Sequence, residues 1–127
     1  ANNYSAQWLQ PFPAGFGAVM TDGSSQFARN YSAQWLHPFP AGFGSAMIVG
    51  SSQFVDNYSA TRFCGLSIPI SFSIASANLG RLALVEVFND LPAVTAQTLT
   101  ITGNPGVVEL TVSDRSIATN KGWTLVE

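Results

Sequence analysis

Two adjacent segments of this chain have nearly the same 27-residue sequence, and this repetition constrains the fold more than any single motif. The first copy covers 4–30 (YSAQWLQPFPAGFGAVMTDGSSQFARN) and the second covers 31–57 (YSAQWLHPFPAGFGSAMIVGSSQFVDN), with 20 of 27 positions identical. A third copy begins at Asn57 as NYSA and then diverges. A period of roughly 20–50 residues is typical of solenoids, propellers and arrays, whose units bury their apolar faces against one another. The repeat predicts a stacked, surface-presenting molecule rather than an enzyme built around a pocket.

Composition excludes several classes of function. The chain has 127 residues, enough for one domain, and is 9% charged with a net charge of -2, whereas about 25% charged is ordinary. Without a basic patch, nucleic-acid binding is not expected. Since no apolar run approaches about 20 residues, no membrane span is expected. Cys64 is the single cysteine, which excludes an internal disulfide. Ala1 falls inside a repeat unit, so we expect the chain to be a piece of something longer. Its low charge and abundant Ser, Thr, Asn and Gly are compatible with an extracellular surface, so we expect an extracellular or cell-surface location.

Proline and glycine divide the repeats into short segments. The stretches 13–17 and 40–44 read PAGFG and predict corners, because proline presets φ and glycine tolerates positive φ. The segments 7–12 and 34–39 are the predicted short strands, ending early at their prolines.

The second half of the chain predicts alternating strands and helices. Within 58–76, a diverged repeat, Leu66, Ile68, Ile70 and Phe72 alternate with small or polar residues, which is a strand signal. A helix is predicted over 78–91, with Leu79, Leu82, Val85, Phe88 and Leu91 as its apolar stripe, capped by Ser76 or Asn78 and ended by Pro92. Strands are predicted over 98–102 and 123–126. A second helix is predicted between them over 114–121, with Gly122 after its end.

These motifs resemble those of the BspA-like leucine-rich-repeat proteins. The segment Leu99-x-Ile101-x-x-Asn104 matches the LxLxxN core of a leucine-rich repeat, and the tail from 91 to 126 resembles the C-terminal cap of BspA-like arrays. The resemblance implies an α/β leucine-rich-repeat solenoid over 1–127, with short parallel strands on one face. Its parts are the two near-identical repeats over 1–57, a diverged repeat over 58–76, and C-terminal repeats with a helix-containing cap over 77–127. It also implies a surface-exposed binding or adhesion module, without defining a ligand.

An aromatic and polar stripe is the first candidate site. The period stacks Tyr4, Tyr31 and Tyr58 above one another, and it pairs Trp8 with Trp35, Gln7 with Gln34 and Gln10 with His37. Outward side chains would form a binding stripe spaced about 4.8 Å per turn, and Tyr and Trp dominate interface energetics. Alternatively, these rings fill the interior of the solenoid.

A series of asparagines is the second candidate site. Asn3, Asn30 and Asn57 each begin an N-x-S sequon, so each is a candidate glycosylation site. The alternative is an asparagine ladder whose inward amides bond to the backbone at the corners.

Catalytic and cofactor chemistry find little support in the sequence. His37 is the single histidine, Cys64 has no evident histidine partner, and the carboxylates show no metal-binding spacing. We therefore expect no enzyme activity, no metal and no cofactor. Two functions follow: recognition of a protein or glycan through the repeat face, or a structural subunit that assembles head-to-tail into a filament through an uncapped N-terminal end.

Overall fold

A computed structural model describes residues 11–24, 27–29, 31, 37–50 and 54–127. It is a mixed α/β structure with a parallel three-stranded sheet and two α-helices. In chain order the elements are β1 (Phe72–Ser73), α1 (Arg81–Asp90), β2 (Gln97–Thr100), a 3-10 helix (Pro105–Glu109), α2 (Val112–Thr119) and β3 (Trp123–Val126). The sheet order is β1-β2-β3, and Phe72 pairs with Leu99 while Leu99 pairs with Leu125.

The predicted proline and glycine corners are confirmed. In both copies, residues three apart are joined by backbone hydrogen bonds, as in Phe16 N–H to Pro13 O and Phe43 N–H to Pro40 O. Gly44 adopts φ +77, and a Cβ there would lie 2.6 Å from Ile68 Cγ1. Glycine is therefore required at this corner both by its backbone conformation and by the close approach of the next segment.

Hydrogen bonds join backbone segments that are one repeat apart. Gly44 N–H donates to Gly17 O and Ile48 N–H donates to Thr21 O, and each bond connects equivalent positions of the two copies. In the diverged segment the separation is shorter than one full repeat, since Asp56 N–H donates to Ala75 O. The segment 58–76 thus makes the same kind of backbone contact as a full repeat, but with fewer residues between the two bonded positions.

Stacked phenylalanines form the core of the repeat region. Phe12 stacks on Phe39 at 5.4 Å between ring centroids, and Phe27 stacks on Phe54 at 5.3 Å. The two members of each pair occupy equivalent positions of the two copies, so equivalent side chains lie against each other. Toward the C-terminal half the same core continues through aliphatic residues, namely Ile68, Ile74, Leu99 and Ile101. Apolar burial of this continuous kind is the main stabilising contribution.

The first helix lies within the predicted range 78–91, and its predicted apolar stripe is confirmed in part, since Leu79, Phe88 and Leu91 are buried. Leu84, Val87 and Phe88 are buried, whereas Leu82 of the predicted stripe is 80% exposed. A constant spacing of three advances only about 300° per step, so such a stripe drifts around the helix. The N-cap is Gly80 without a side-chain hydrogen bond, so Ser76 and Asn78 are not caps.

The predicted strands of the C-terminal half are confirmed, whereas the strand predicted from Leu66 to Phe72 is present only at its end. β3 has the predicted bounds, and β2 lies within one residue of its predicted start. The alternation from Leu66 to Phe72 yields only the two-residue β1, because backbone before it bonds to a corner residue instead, as in Ser67 N–H to Phe43 O. The predicted strands 7–12 and 34–39 lie largely outside the described residues, and 11–12 and 37–39 are not strand.

The second helix begins two residues earlier than predicted. Thr111 is its N-cap, and a capping box joins the Thr111 and Asp114 side chains to each other's backbone N–H groups. Lys121 lies beyond the end of α2, and its side chain bonds to the C-terminal end of α1 instead. Its Nζ donates to the carbonyls of Phe88, Asn89 and Leu91 at 2.6–2.9 Å, which satisfies the C-terminal carbonyls of α1.

Candidate recognition surface

A second set of corners, each formed by a residue with positive φ, recurs in successive segments of the chain. These corners align the segments that carry the candidate site. Arg29, Asp56, Ser76 and Gly103 have φ values of 58°, 60°, 53° and 76°. The N–H of each of the first three donates to the carbonyl of the residue that precedes the next one, at 2.9–3.0 Å. The corners are thus in register along the molecule. The residue two positions after each corner is, in order, Tyr31, Tyr58, Asn78 and Pro105.

Tyr31 and Tyr58, which we call the tyrosine pair, stack on the outside of these corners. Their ring centroids are 5.2 Å apart and their planes differ by 7°. Tyr58 is 54% exposed and Tyr31 is partly exposed. For these two residues the structure therefore favours the outward arrangement over the interior one. His37 is partly buried, and it lies just before the PAGFG corner at 40–44. The other candidate contacts, Tyr4, Trp8, Gln34 and Trp35, lie outside the described residues.

Charged side chains flank the tyrosine pair. Arg29 and Asp56 occupy equivalent positions in the two repeats, and their side chains form an ion pair at 3.9 Å. The one charge-reversing difference between the copies therefore creates a complementary contact between adjacent segments. Reduced solvation of the hydroxyl, followed by the negative charge of Asp56, raises the pKa of Tyr58 above its ordinary value. Tyr58 is consequently a neutral hydrogen-bonding group at physiological pH.

Asn57, between Asp56 and Tyr58, points inward. It is 0% exposed, and its side-chain nitrogen donates to Phe27 O at 2.9 Å and to Phe54 O at 2.6 Å. This nitrogen cannot carry a glycan in the folded chain, so the structure contradicts glycosylation at Asn57. Asn3 and Asn30, the other two sequon asparagines, lie outside the described residues.

Asn104 repeats this arrangement near the C-terminal end. Its side-chain nitrogen donates to Ile101 O at 2.8 Å and to Ile74 O at 2.9 Å. Its Oδ1 accepts hydrogen bonds from the backbone N–H groups of Ala77 and Leu79. Asn57 and Asn104 both bond to the carbonyl three residues earlier and to the one 30 residues earlier. We call these two residues the asparagine ladder; it holds the corners that display the tyrosine pair.

A cleft of about 320 Å³ opens beside the tyrosine pair. It is lined by Tyr58, Ser76, Asn78, Gly103 and Pro105. These residues belong to the same series of corners, so the cleft begins where the tyrosines of the repeat are replaced by smaller side chains. Sequence reasoning missed it, because it treated Ser76 and Asn78 only as helix caps. The signal that could have found it is the alignment of Asn78 and Pro105 with the tyrosines.

Cys64 and the clustering of potential metal ligands were the remaining questions of reactive chemistry among the described residues. Cys64 is buried, and desolvation followed by a hydrogen bond with Glu86 raises the pKa of its thiol to about 11. Its thiolate form, the reactive one, is therefore scarce at neutral pH. Within the described parts of the chain, no three His, Cys, Asp or Glu side chains are grouped so that they could hold a metal ion. In those same parts, no helix has the length and apolarity to cross a membrane.

Comparison with protein-family models, with curated proteins and with solved structures gave no significant match. The resemblance to BspA-like leucine-rich-repeat proteins therefore stays a prediction. The same holds for head-to-tail filament assembly, which depends on residues 1–10, outside the described range.

Proposed function

We propose that this protein is a non-enzymatic, extracellular or cell-surface recognition module that binds a protein or glycan through the tyrosine pair. The observation that carries the proposal is the outward stack of Tyr31 on Tyr58, with 54% of Tyr58 exposed. Tyrosine provides a large apolar surface together with a hydroxyl, and it is enriched among the residues that dominate binding energy.

Rigidity of the tyrosine pair supports a binding role. The ring of Tyr58 is held by Tyr31 on one face, and its backbone follows the buried Asn57. Ser59, on the other side, donates its hydroxyl to Tyr31 O at 2.7 Å. Side chains that are already ordered lose less conformational entropy on binding, which costs about 0.5–1.5 kcal/mol for each side chain that must be immobilised.

The contacts at the repeat spacing support a solenoid of the leucine-rich-repeat type as the scaffold. Parallel pairing of β1, β2 and β3, backbone bonds between equivalent positions of successive segments, and the asparagine ladder would all arise from stacked turns. In such a scaffold equivalent side chains form rows on the surface. We propose that the tyrosine pair is part of such a row.

Binding to a printed glycan array and to a panel of immobilised extracellular-matrix proteins tests the proposal. We expect the wild-type chain to bind at least one of these probes, and Tyr58→Ala and Tyr31→Ala to weaken that binding about tenfold or more. Val112→Ala is the matched control, since Val112 is an 82% exposed apolar residue outside the tyrosine pair and the cleft. Binding that is absent, or equal in all four proteins, would refute the proposal.

A further inference from the structure

The ring of Tyr58 has one covered face and one open face. Tyr31, in the preceding repeat, covers the first face with nearly parallel ring planes. Ser76, Asn78, Gly103 and Pro105, which line the cleft with Tyr58, all follow it in the series of corners. The cleft therefore lies on the side of Tyr58 that is away from Tyr31, the side toward which the second face of the ring is directed. A flat ligand in the cleft would continue the stack that Tyr31 and Tyr58 begin.

The polar groups of the cleft are free to bind a ligand. In the described part of the chain, the Ser76 hydroxyl and the Asn78 amide accept and donate no hydrogen bonds. Asn78 is exposed and Ser76 is partly exposed. A hydroxyl can donate and accept, and a side-chain amide has two donor hydrogens and an acceptor oxygen. These groups lie in the same cleft as the open face of Tyr58.

The charge and size of the cleft narrow the class of ligand. Of the described residues that line it, none carries a carboxylate, an ammonium or a guanidinium group. A charged ligand would therefore find no opposite charge among those lining residues. The cleft volume of about 320 Å³ is at the lower end of the range of about 300–1,000 Å³ for small-molecule sites. The ligand that fits is small, neutral and flat, with an apolar face and hydrogen-bonding edges.

We propose that the cleft is a saccharide subsite that holds one pyranose ring of a glycan against the open face of Tyr58. This inference rests on the proposed recognition function and specifies its ligand. The C–H groups on one face of a pyranose pack on the tyrosine ring, while its hydroxyls bond with Ser76 and Asn78. An aromatic side chain of a partner protein would cover the same ring, but it would leave the Ser76 and Asn78 polar groups without partners, a loss of specificity and affinity.

The corners around the cleft are rigid enough to define such a subsite. Ser76 N–H donates to Thr102 O at 2.9 Å, which ties the corner at Ser76 to the corner at Gly103. The buried Asn104, between Gly103 and Pro105, bonds to Ala77 and Leu79 on either side of Asn78. The polar groups are thus held at a fixed place relative to the ring of Tyr58.

Saturation-transfer NMR and calorimetry with the methyl glycosides of glucose, galactose, mannose and N-acetylglucosamine test the subsite. We expect saturation of the aromatic protons to transfer to the ring protons of at least one glycoside. Tyr58→Ala should weaken its binding about tenfold or more, whereas Tyr58→Phe, which keeps the ring, should retain it. Asn78→Gly removes the amide but tolerates the φ of 58° found there, and it should weaken binding severalfold.

Val112→Ala is again the control and should bind as the wild type does. Circular dichroism of each variant ensures that weaker binding does not come from unfolding. The subsite is refuted if none of the four glycosides binds, or if binding persists unchanged in Tyr58→Ala. If no glycoside binds but Tyr58→Ala still abolishes binding to a matrix protein, the saccharide inference fails while the recognition function stands. If a glycoside binds through Tyr58 and Asn78, both stand.

Discussion

Replacing each member of the asparagine ladder by alanine gives a ranked test of how the corners are held. Asn104 makes four hydrogen bonds to backbone groups, two through its nitrogen and two through Oδ1. Asn57 makes two bonds of 2.6 and 2.9 Å and a longer one of 3.4 Å, and its Oδ1 has no partner among the described residues. Because both residues are buried, water cannot replace what alanine removes. The two substitutions should therefore differ in cost.

The expected magnitudes follow from the number of bonds. A hydrogen bond contributes about 1 kcal/mol net, and a buried group left without a partner costs about 1–3 kcal/mol. We expect Asn104→Ala to lower the free energy of unfolding by about 4 kcal/mol and Asn57→Ala by about 2 kcal/mol. Asn89→Ala is the control, since Asn89 lies exposed on α1 and its side chain bonds only to Val85 O of the same helix among described residues. It should change stability by less than about 0.5 kcal/mol.

Urea unfolding, followed by circular dichroism at several wavelengths, measures these differences. Coincident transitions at all wavelengths justify the two-state treatment that the free energies require. Equal losses for the two ladder variants, a larger loss for Asn57→Ala, or losses no larger than that of Asn89→Ala would refute the reasoning. Each of these outcomes would mean that the inward amides do not hold the corners.

A second readout concerns the sequon that begins at Asn57. A glycan on its nitrogen would displace the bonds to Phe27 O and Phe54 O, so the fold described here requires an unmodified side chain. We expect peptide mass spectrometry of folded protein, secreted from a eukaryotic host, to find Asn57 unmodified. A folded fraction that carries a glycan at Asn57 would contradict its inward placement.

Three further predictions concern the C-terminal half. Lys121→Met, which removes three bonds to the end of α1, should cost about 2 kcal/mol in the free energy of unfolding measured in urea; an unchanged urea midpoint would contradict this role. Gly122→Ala should lower the melting temperature far more than Gly80→Ala. A Cβ at Gly122 would collide with the carbonyl oxygen of Val94, and the backbone there has φ +90, whereas a Cβ at Gly80 would meet no other atom. Equal shifts in melting temperature would contradict this close approach. Hydrogen bonds from the Arg81 side chain and from the backbone of Thr111 lower the pKa of Asp114 from its ordinary value of 3.8. The charge of Asp114 therefore stabilises the fold above about pH 4, and this contribution is lost as the pH falls further. Asp114→Asn should therefore be less stable than the wild type at pH 7, with a gap in urea midpoint that narrows below about pH 4; a gap independent of pH would contradict the assignment.

The elements with strong local signals were predictable from the sequence. The PAGFG corners, both helices, β2 and β3 all appear, because proline, glycine and the spacing of apolar residues act over a few neighbours. The errors arose where distant partners decide. The alternating residues from Leu66 to Phe72 do alternate in burial at several positions. The N–H of Ser67, however, bonds to the carbonyl of Phe43 in a PAGFG corner rather than to a strand. Leu82 is exposed because the neighbours of α1 lie on another side of the helix.

The candidate site was predictable only in part. The repeat period places Tyr58 one unit after Tyr31, so their stacking follows from the sequence once the segments lie in register. The cleft did not follow, because Asn78 and Pro105 align with the tyrosines only through a shortened segment. The role of Lys121 was missed for a similar reason, since it acts on a helix about 30 residues earlier in the chain.

The sequence by itself determined that equivalent residues recur at a fixed period, that glycine and proline turn the chain between them, and that helices follow in the C-terminal half. These properties depend on short-range backbone preferences, which each copy carries independently. Only the tertiary structure decided that Asn57 points inward while Tyr58, its neighbour, points outward. That choice depends on the left-handed conformation at Asp56 and on the backbone carbonyls that the adjacent segment places around Asn57. A buried amide must have such partners, and they exist only once the segments have packed together.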